Sequence, residues 1–171
     1  MSSAAPTPPP LGTSGPHPVP DALAYLAGRW SVRRTLVDLG TGSRGTFDGT
    51  AAFRPLDGSA GLLHVEEGQL SWNGTVNRAS RTLQVLPAPD GTAEVTFADG
   101  RPFHDLDLRT GRWTTRHHCG ADLYLATFTV VSPDAWQVQW RTTGLGQGPS
   151  AAHDPPAVRS GRAPRRVHPV R

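Results

Sequence analysis

The feature that most constrains this fold is a series of nine short β-prone runs, each followed by a turn signal. From residue 31 onward no stretch has the apolar spacing of an amphipathic helix of ten residues. The breaks carry Gly, Asn, Asp or Pro, which suit the positive or fixed φ angles of tight turns. The runs lie near residues 31–38, 45–53, 60–70, 79–86, 92–98, 103–108, 112–118, 122–131 and 135–143.

Nine strands joined by tight turns form a meander, which must curl into a barrel or split into a sandwich to protect its edges. We expect the barrel. In the last run Trp136, Val138 and Trp140 alternate with polar residues, so these three side chains share one face and the core holds several tryptophans. The prediction is an all-β, antiparallel, up-and-down barrel of about nine strands.

The composition changes at both ends of the chain. Residues 1–20 are rich in Pro, Ser and Thr, have little apolar surface to bury, and are predicted to be disordered. The apolar run at residues 22–26 predicts a helix of one to two turns that Asp21 caps. Residues 144–171 have Gly, Pro and Arg without alternation and are also predicted to be disordered, which leaves the barrel domain at residues 21–143.

The charge is distributed unevenly. Residues 1–144 hold 12 Arg against 13 Asp and Glu, a net charge of −1, whereas residues 145–171 hold 5 Arg against one Asp, a net charge of +4. Because the positive charge lies in a tail and no Gly-rich phosphate loop precedes a helix, we expect no specific nucleic-acid partner.

The cellular compartment is predicted from absences in the sequence. The single cysteine, Cys119, excludes an internal disulfide and fits a reducing compartment. The amino end has neither a basic start nor an apolar run, so no signal peptide or anchor is expected, and no stretch approaches the ~20 apolar residues of a membrane span. We therefore expect a cytoplasmic protein with no membrane partner.

Two sets of residues carry a resemblance to known families. The short helix followed by Gly28-Arg29-Trp30 is similar to the opening of lipocalin-like (calycin) barrels, a Gly-x-Trp motif whose tryptophan plugs one end. The chain also resembles the domain-of-unknown-function 6314 family, through Tyr25-Leu26-Ala27-Gly28-Arg29-Trp30, the block from Phe97 to Leu108, the strand Trp136-x-Val138-x-Trp140-Arg141, and Trp113, His117, His118, Cys119, Asp122 and Tyr124. This resemblance covers residues 23 to about 144 and implies a calycin-like barrel with no established activity.

The sequence departs from that family at its carboxyl end. Similar members continue into one more strand, but here Thr143 is followed by Gly144-Leu145-Gly146-Gln147-Gly148-Pro149. We expect that strand to be missing and the barrel to be incompletely closed. The segment resembles out-of-frame translation of GC-rich DNA. A frameshift near codon 144 is therefore a hypothesis, which the absence of a β-alternating segment in the other frames would contradict.

Two neighbouring strands carry the candidate site. Arg109-Thr110-Gly111 predicts a three-residue hairpin loop with Gly111 left-handed, which pairs Leu108 with Arg112 and places Asp105 opposite Thr115. One face then carries Phe103, Asp105, Asp107, Trp113, Thr115, His117 and Cys119, and the other carries His104, Leu106, Leu108, Arg112, Thr114, Arg116 and His118. If the first face lines the barrel, Asp105 and His117 are diagonal neighbours that can hydrogen-bond. In the alternative, Asp105 caps the Gly100-Arg101-Pro102 loop or pairs with Arg101, and His117 and His118 lie at the rim of the barrel.

The spacing of the Cys, His and Ser residues does not favour a metal site or a catalytic nucleophile. His117 and Cys119 share a face, but His118 points the other way, and no Cys-x-x-Cys or His-x-x-x-His pair is present. No Gly-x-Ser-x-Gly elbow is present, and the paired acids Glu66 and Glu67 face opposite ways, so that a solvated outer carboxylate explains one of them. We expect no metal and no cofactor.

The sequence thus predicts a noncatalytic barrel that binds a small, mostly apolar molecule with a polar or anionic group. The predicted ligand-binding residues are Trp30, Arg101, His104, Asp105, Trp113, His117, Tyr124, Trp140 and Arg141. An enzyme using His117 and Asp105 as an acid–base pair is the alternative. A packed structural or interaction barrel is the third interpretation.

Overall fold

The computed structural model describes residues 15–38, 41–120, 122–143, 150–153 and 157–159. It contains one short helix, α1 (Ala22–Leu26), and a 3-10 turn at Pro89–Gly91. The strands are β1 (Gly28–Asp38), β2 (Arg44–Pro55), β3 (Leu62–Trp72), β4 (Thr75–Pro87), β5 (Ala93–Phe97), β6 (Pro102–Leu106), β7 (Arg112–Cys119), β8 (Asp122–Ser132), β9 (Ala135–Thr143), β10 (Ser150–His153) and β11 (Ala157–Arg159). The nine predicted runs correspond to β1–β9, so the all-β antiparallel prediction is confirmed.

Helix α1 and the first strand close one end of the barrel. The Asp21 carboxylate accepts a hydrogen bond from the Ala24 amide at 3.0 Å, which caps the helix as predicted. Trp30 is 0% exposed, and its indole Nε1 donates to the carbonyl of Leu26 at 2.7 Å. Its ring lies 5.4 Å from that of Tyr25 and 6.1 Å from that of Trp136. Trp30 is therefore the plug between the helix and the interior.

The strands form one continuous sheet, in the order β6-β5-β4-β3-β2-β1-β10-β9-β8-β7. All pairs are antiparallel, and strands that follow each other in the chain are neighbours from β1 to β6 and from β7 to β9. β10 lies between β1 and β9, and β11 pairs with both of them as well. The two halves of the meander are therefore joined through the carboxyl-terminal segment.

This joining corrects the prediction for the carboxyl end, where we expected no further strand and disorder over residues 144–171. β10 pairs Ala152 with both Leu36 of β1 and Trp140 of β9. Backbone pairing to strands on both sides holds β10 in the sheet. Because every sequence has these backbone groups, the lack of apolar alternation in residues 150–153 gave no sign of this strand. The remainder of the predicted tail, residues 144–149, 154–156 and 160–171, lies outside the described residues.

The open edge of the sheet lies between β6 and β7. The Gly111 amide donates to the Leu108 carbonyl at 2.8 Å and Gly111 has φ +77°, as the predicted loop requires. However, no backbone ladder joins β6 to β7 in the described part of the chain. The predicted neighbours Asp105 and Thr115 meet instead through side chains, since the Thr115 hydroxyl donates to the Asp105 carboxylate. The barrel is therefore incompletely closed, at a place that the sequence does not indicate.

An amino-terminal strap, residues 15–20, covers the end of this open edge, although the sequence predicts disorder through residue 20. The His17 amide donates to the Val130 carbonyl at 2.9 Å, and the Val19 amide donates to the Leu108 carbonyl at 3.0 Å. Val19 is buried in the core. One apolar residue among prolines gives no periodic signal, so these tertiary contacts were invisible in the sequence. Residues 1–14 lie outside the described residues.

The core fills the closed end of the barrel and its walls. It includes Val32, Phe47, Ala51, Phe53, Leu83, Val85, Val95, Leu106, Ala126, Phe128, Val130 and Val138. In the described part of the chain, no helix has the length and apolar character needed to cross a membrane. The cytoplasmic location stays a prediction.

Replacing Gly91 with Ala tests the packing of the strap. A Cβ at Gly91 would clash with the Pro20 carbonyl oxygen, whereas a Cβ at Gly100 meets nothing within 4 Å. Both glycines have positive φ, +77° and +85°, so both substitutions cost about 1 kcal/mol of backbone strain. Gly91→Ala should lose a further 1–3 kcal/mol or so from the clash. Urea unfolding measures both variants, and equal losses would show that the strap does not pack on Gly91.

Candidate functional site

A cavity lies inside the barrel, beside the end that Leu26 and Trp136 close. Its volume is about 60 Å³, and the empty space reaches about 680 Å³ when its opening to solvent is included. Since one water needs roughly 10–15 Å³ of such volume, the cavity holds more than one water-sized group. Most of its lining is apolar and comes from inward positions of β2, β4, β6, β8 and β9.

Five polar side chains interrupt this apolar lining, and we call them the polar cluster: Arg34, His64, Glu66, Arg81 and His104. The β-strand period of two brings them inward. His64 and Glu66 alternate with Val65 on β3, and Arg81 precedes buried Leu83 and Val85 on β4. Glu66 is directly opposite Arg81 in the β3–β4 ladder.

Glu66 is the centre of this cluster. It is 5% exposed, and its two carboxylate oxygens accept from Arg34 Nη1 at 3.0 Å and Arg34 Nη2 at 3.3 Å. Arg81 Nη2 adds a third hydrogen bond at 3.2 Å. Burial raises the pKa of Glu66, but the charges of Arg81 and Arg34 outweigh burial and hold it below its ordinary value. Glu66 is therefore ionised.

The two histidines of the cluster are neutral at pH 7. His64 stacks on Phe53 with 4.2 Å between ring centres. Burial, reinforced by the charge of Arg81, lowers the pKa of His64 to about 4. Burial likewise lowers the pKa of His104 to about 4. His104 Nδ1 lies 2.8 Å from the Asp105 carbonyl oxygen, so Nδ1 carries the proton and Nε2 presents a lone pair.

Three buried polar atoms that belong to cavity-lining residues have no hydrogen-bond partner in the described part of the chain. They are His64 Nε2, Arg81 Nε and Trp136 Nε1. Arg81 Nε and Trp136 Nε1 are obligate donors. Buried polar groups are partnered in the great majority of cases, so each exception needs an explanation. The residues of the cavity wall therefore hold hydrogen-bond donors that are not used within the described part of the chain.

Two of the nine predicted ligand-binding residues, His104 and Trp140, line the cavity. The Trp140 ring stacks on Phe103 at 5.6 Å with 8° between the planes, and Phe103 lines the cavity too. Trp30 belongs to the plug, and Trp113 pairs with Phe128 of β8 without lining the cavity.

His117 and Tyr124 lie in an aromatic cluster beside the cavity. The His117 ring is 4.8 Å from Phe103, 5.9 Å from Phe97 and 6.2 Å from Tyr124. Asp105 is exposed and accepts from Thr115, and no hydrogen bond joins it to His117 among the described residues. The structure thus does not bring the predicted acid–base pair together.

The two predicted faces turn out to be mixed. On β6, Leu106 is buried and both Phe103 and His104 line the cavity. On β7, Thr115 is buried, Trp113 packs against the core and His117 contacts Phe103. The prediction required β6 and β7 to pair in register. They do not pair, and a register shift between Val95 and Thr96 further alters the facing of β6.

The predicted arginines lie outside the barrel. Arg101 is exposed, binds Asp99 at 2.7 Å and sits 5.3 Å from the ring centre of Phe97. Arg141 is exposed as well. The described residues contain no group of three or more His, Cys, Asp or Glu that could hold a metal ion. The side chain of Cys119 lies outside the described part.

Comparison with known proteins settles the family. The family of unknown function DUF6314 matches residues 26–149. This chain belongs to the DUF6314 family. No curated protein matches it significantly.

Three solved structures are similar to this chain at low sequence identity. The S-type phycobiliprotein lyase from Guillardia theta has a TM-score of 0.57 and 9% identity, covering 82% of this chain and 92% of the lyase. A DUF3598-family protein of unknown function from Nostoc punctiforme has a TM-score of 0.47 and 14% identity, covering 86% and 53%. A redesigned β-barrel bound to DFHBI has a TM-score of 0.38 and 17% identity, covering 81% and 98%. The likeness to the lyase shows the fold: the DUF6314 chain is a lipocalin-like barrel.

Four cluster residues of the DUF6314 protein were missed by sequence reasoning: Arg34, His64, Glu66 and Arg81. Glu66 in particular is buried, whereas Glu67 is the exposed acid of the pair. A signal was present, since His64, Glu66 and Arg81 occupy the same alternate positions as Leu62, Leu83 and Val85. A charge in phase with buried apolar residues marks a polar group inside a barrel.

The buried histidines make stability depend on pH. In the unfolded chain the His64 imidazole has its ordinary pKa of 6.5 and is protonated below that pH. In the folded chain it stays neutral until the pH falls to about 4. Stability should therefore fall from pH 7 to pH 5 by about 2 kcal/mol for His64 alone. His64→Leu should make this dependence shallower in urea unfolding at several pH values, with the contribution of His104 left in place. Parallel curves for wild type and His64→Leu would contradict the neutral buried imidazole.

Proposed function

We propose that this DUF6314 protein binds a small, mostly apolar ligand carrying a polar or anionic group inside the barrel, and catalyses no reaction on it. The observation that carries the proposal is an apolar cavity with the unpaired donor Arg81 Nε and the unpaired His64 Nε2 in its wall. An apolar pocket with a few convergent polar groups is the usual anatomy of a small-ligand site.

The walls of the cavity suit a flat or compact ligand. Trp140, Phe103 and Phe128 supply aromatic surface on one side, with 6.4 Å between the ring centres of Phe128 and Trp140. Phe53 and Leu83 supply apolar surface beside His64. The enclosed volume of about 60 Å³ restricts the buried part of the ligand to a few heavy atoms, and the remainder occupies the opening.

The alternative functions gain less support. An acid–base enzyme needs a group whose pKa lies near the working pH, and the pKa values of His64 and His104 are lowered to about 4. The predicted pair His117 and Asp105 makes no mutual hydrogen bond in the described part of the chain. A barrel packed shut would hold neither the cavity nor its unpaired donors.

Thermal unfolding with a set of small aromatic acids and their neutral amides tests the proposed binding. The set is benzoate, phenylacetate and indole-3-acetate with benzamide, phenylacetamide and indole-3-acetamide. At ten times its dissociation constant, a ligand should raise Tm by about 3–6 °C.

A pair of tryptophan variants controls this experiment. Trp140→Ala removes a cavity wall and should abolish the Tm rise, while Trp72→Ala, which removes the same side chain away from the cavity, should keep it. If no compound shifts Tm, or if both variants respond as wild type does, the proposed site is wrong.

A further inference from the structure

We infer that the polar group of the ligand is a single carboxylate and that Arg81 binds it. This inference rests on the proposed function and adds the chemical class of the anchor and the residue that recognises it. Its first support is charge. The charged residues lining the cavity are two guanidinium groups, Arg34 and Arg81, and one carboxylate, Glu66.

The other titratable residues of the lining do not change this balance. His64 and His104 are neutral at pH 7, because burial opposes their charged forms and lowers their pKa values. The cavity wall therefore carries one net positive charge. A ligand with one negative charge makes the occupied cavity neutral. A neutral ligand leaves a net charge of +1 and a dianion leaves a net charge of −1, and an unbalanced charge in an apolar setting is costly.

Hydrogen bonding singles out Arg81 from Arg34. Arg34 places two N–H groups on the two oxygens of Glu66, while Arg81 contributes one hydrogen bond to that carboxylate. Arg81 Nε is buried without a partner in the described part of the chain. The planar guanidinium thus keeps N–H groups for a carboxylate, whose two oxygens match its fork.

The surroundings of Arg81 give a carboxylate both access and a second partner. The Arg81 side chain is 37% exposed against 14% for Arg34, so Arg81 is the more accessible of the two cavity-lining arginines. His64 lies close enough to Arg81 for its pKa to feel that charge, and its Nε2 is unpartnered. In the tautomer with Nε2 protonated, His64 donates to a carboxylate oxygen.

Glu66 is a positioning residue in this arrangement. It holds Arg81 in the wall through one hydrogen bond and offsets the charge of Arg34. Replacing it with Gln removes the competing carboxylate and makes the cavity more positive. Glu66→Gln should therefore bind acids several-fold more tightly, whereas a merely structural Glu66 would give weaker binding of acids and amides alike.

Isothermal titration calorimetry of the full chain at pH 7 tests the inference with the same acid and amide pairs. Each acid that binds should bind at least tenfold more tightly than its amide. Phenyl phosphate, which is mostly a dianion at pH 7, should bind more weakly than benzoate. Arg81→Gln should remove the preference for the acid. Arg78→Gln removes the same charge from an exposed position of β4 outside the cavity and should keep the preference.

The outcomes separate the inference from the proposed function. Equal affinity for acids and amides, lost in Trp140→Ala, would leave the proposed function intact and overturn the carboxylate. Tighter binding of phenyl phosphate than of benzoate would overturn the single charge, and no binding of any compound would overturn both proposals. If Arg81→Gln does not fold, Arg81→Lys keeps the charge without the fork and should lower the acid-to-amide ratio at least threefold, while an unchanged ratio counts against Arg81.

Discussion

The structure depends on holding the Glu66 carboxylate inside an apolar barrel. A buried carboxylate is tolerated only with counter-charges and hydrogen bonds. Arg34 of β1 and Arg81 of β4 supply both to Glu66 of β3. The pairing is incomplete, because Arg81 Nε has no partner in the described part of the chain. All three side chains of this triad line the cavity, so its wall is charged as well as apolar.

Backbone hydrogen bonds at the sheet edges complete the barrel around that interior. β10 joins the two halves of the meander, and the amino-terminal strap takes up the carbonyls of Leu108 and Val130 beside the gap between β6 and β7. The gap is bridged through the side chains of Thr115 and Asp105. Ion pairs therefore stabilise the polar residues of the cavity, whereas main-chain hydrogen bonds hold the edges of the sheet together.

The elements that could be predicted are those with a local signal. The positions of β1–β9 follow from alternation and turn residues, and α1 follows from its Asp21 cap. His104 and Trp140 were predicted in the site because they lie in a distinctive block and a clearly alternating strand. Arg34, Glu66 and Arg81 were not, since their meaning depends on three strands distant in sequence meeting in register.

The amino-acid sequence by itself determined an antiparallel barrel of the DUF6314 family with tryptophans inside. The alternation of side chains along a strand, the residue types of turns and the family motifs can each be recognised within a short stretch of sequence. Tertiary structure alone decided which faces of β6 and β7 point inward, where the sheet stays open, and how β10 and the strap attach. These depend on register and on backbone groups that every sequence shares. It also decided that the arginines of the interior are Arg34 and Arg81 rather than Arg101 and Arg141, because burial of a charge is settled by its partners across the sheet and not by its neighbours in the chain.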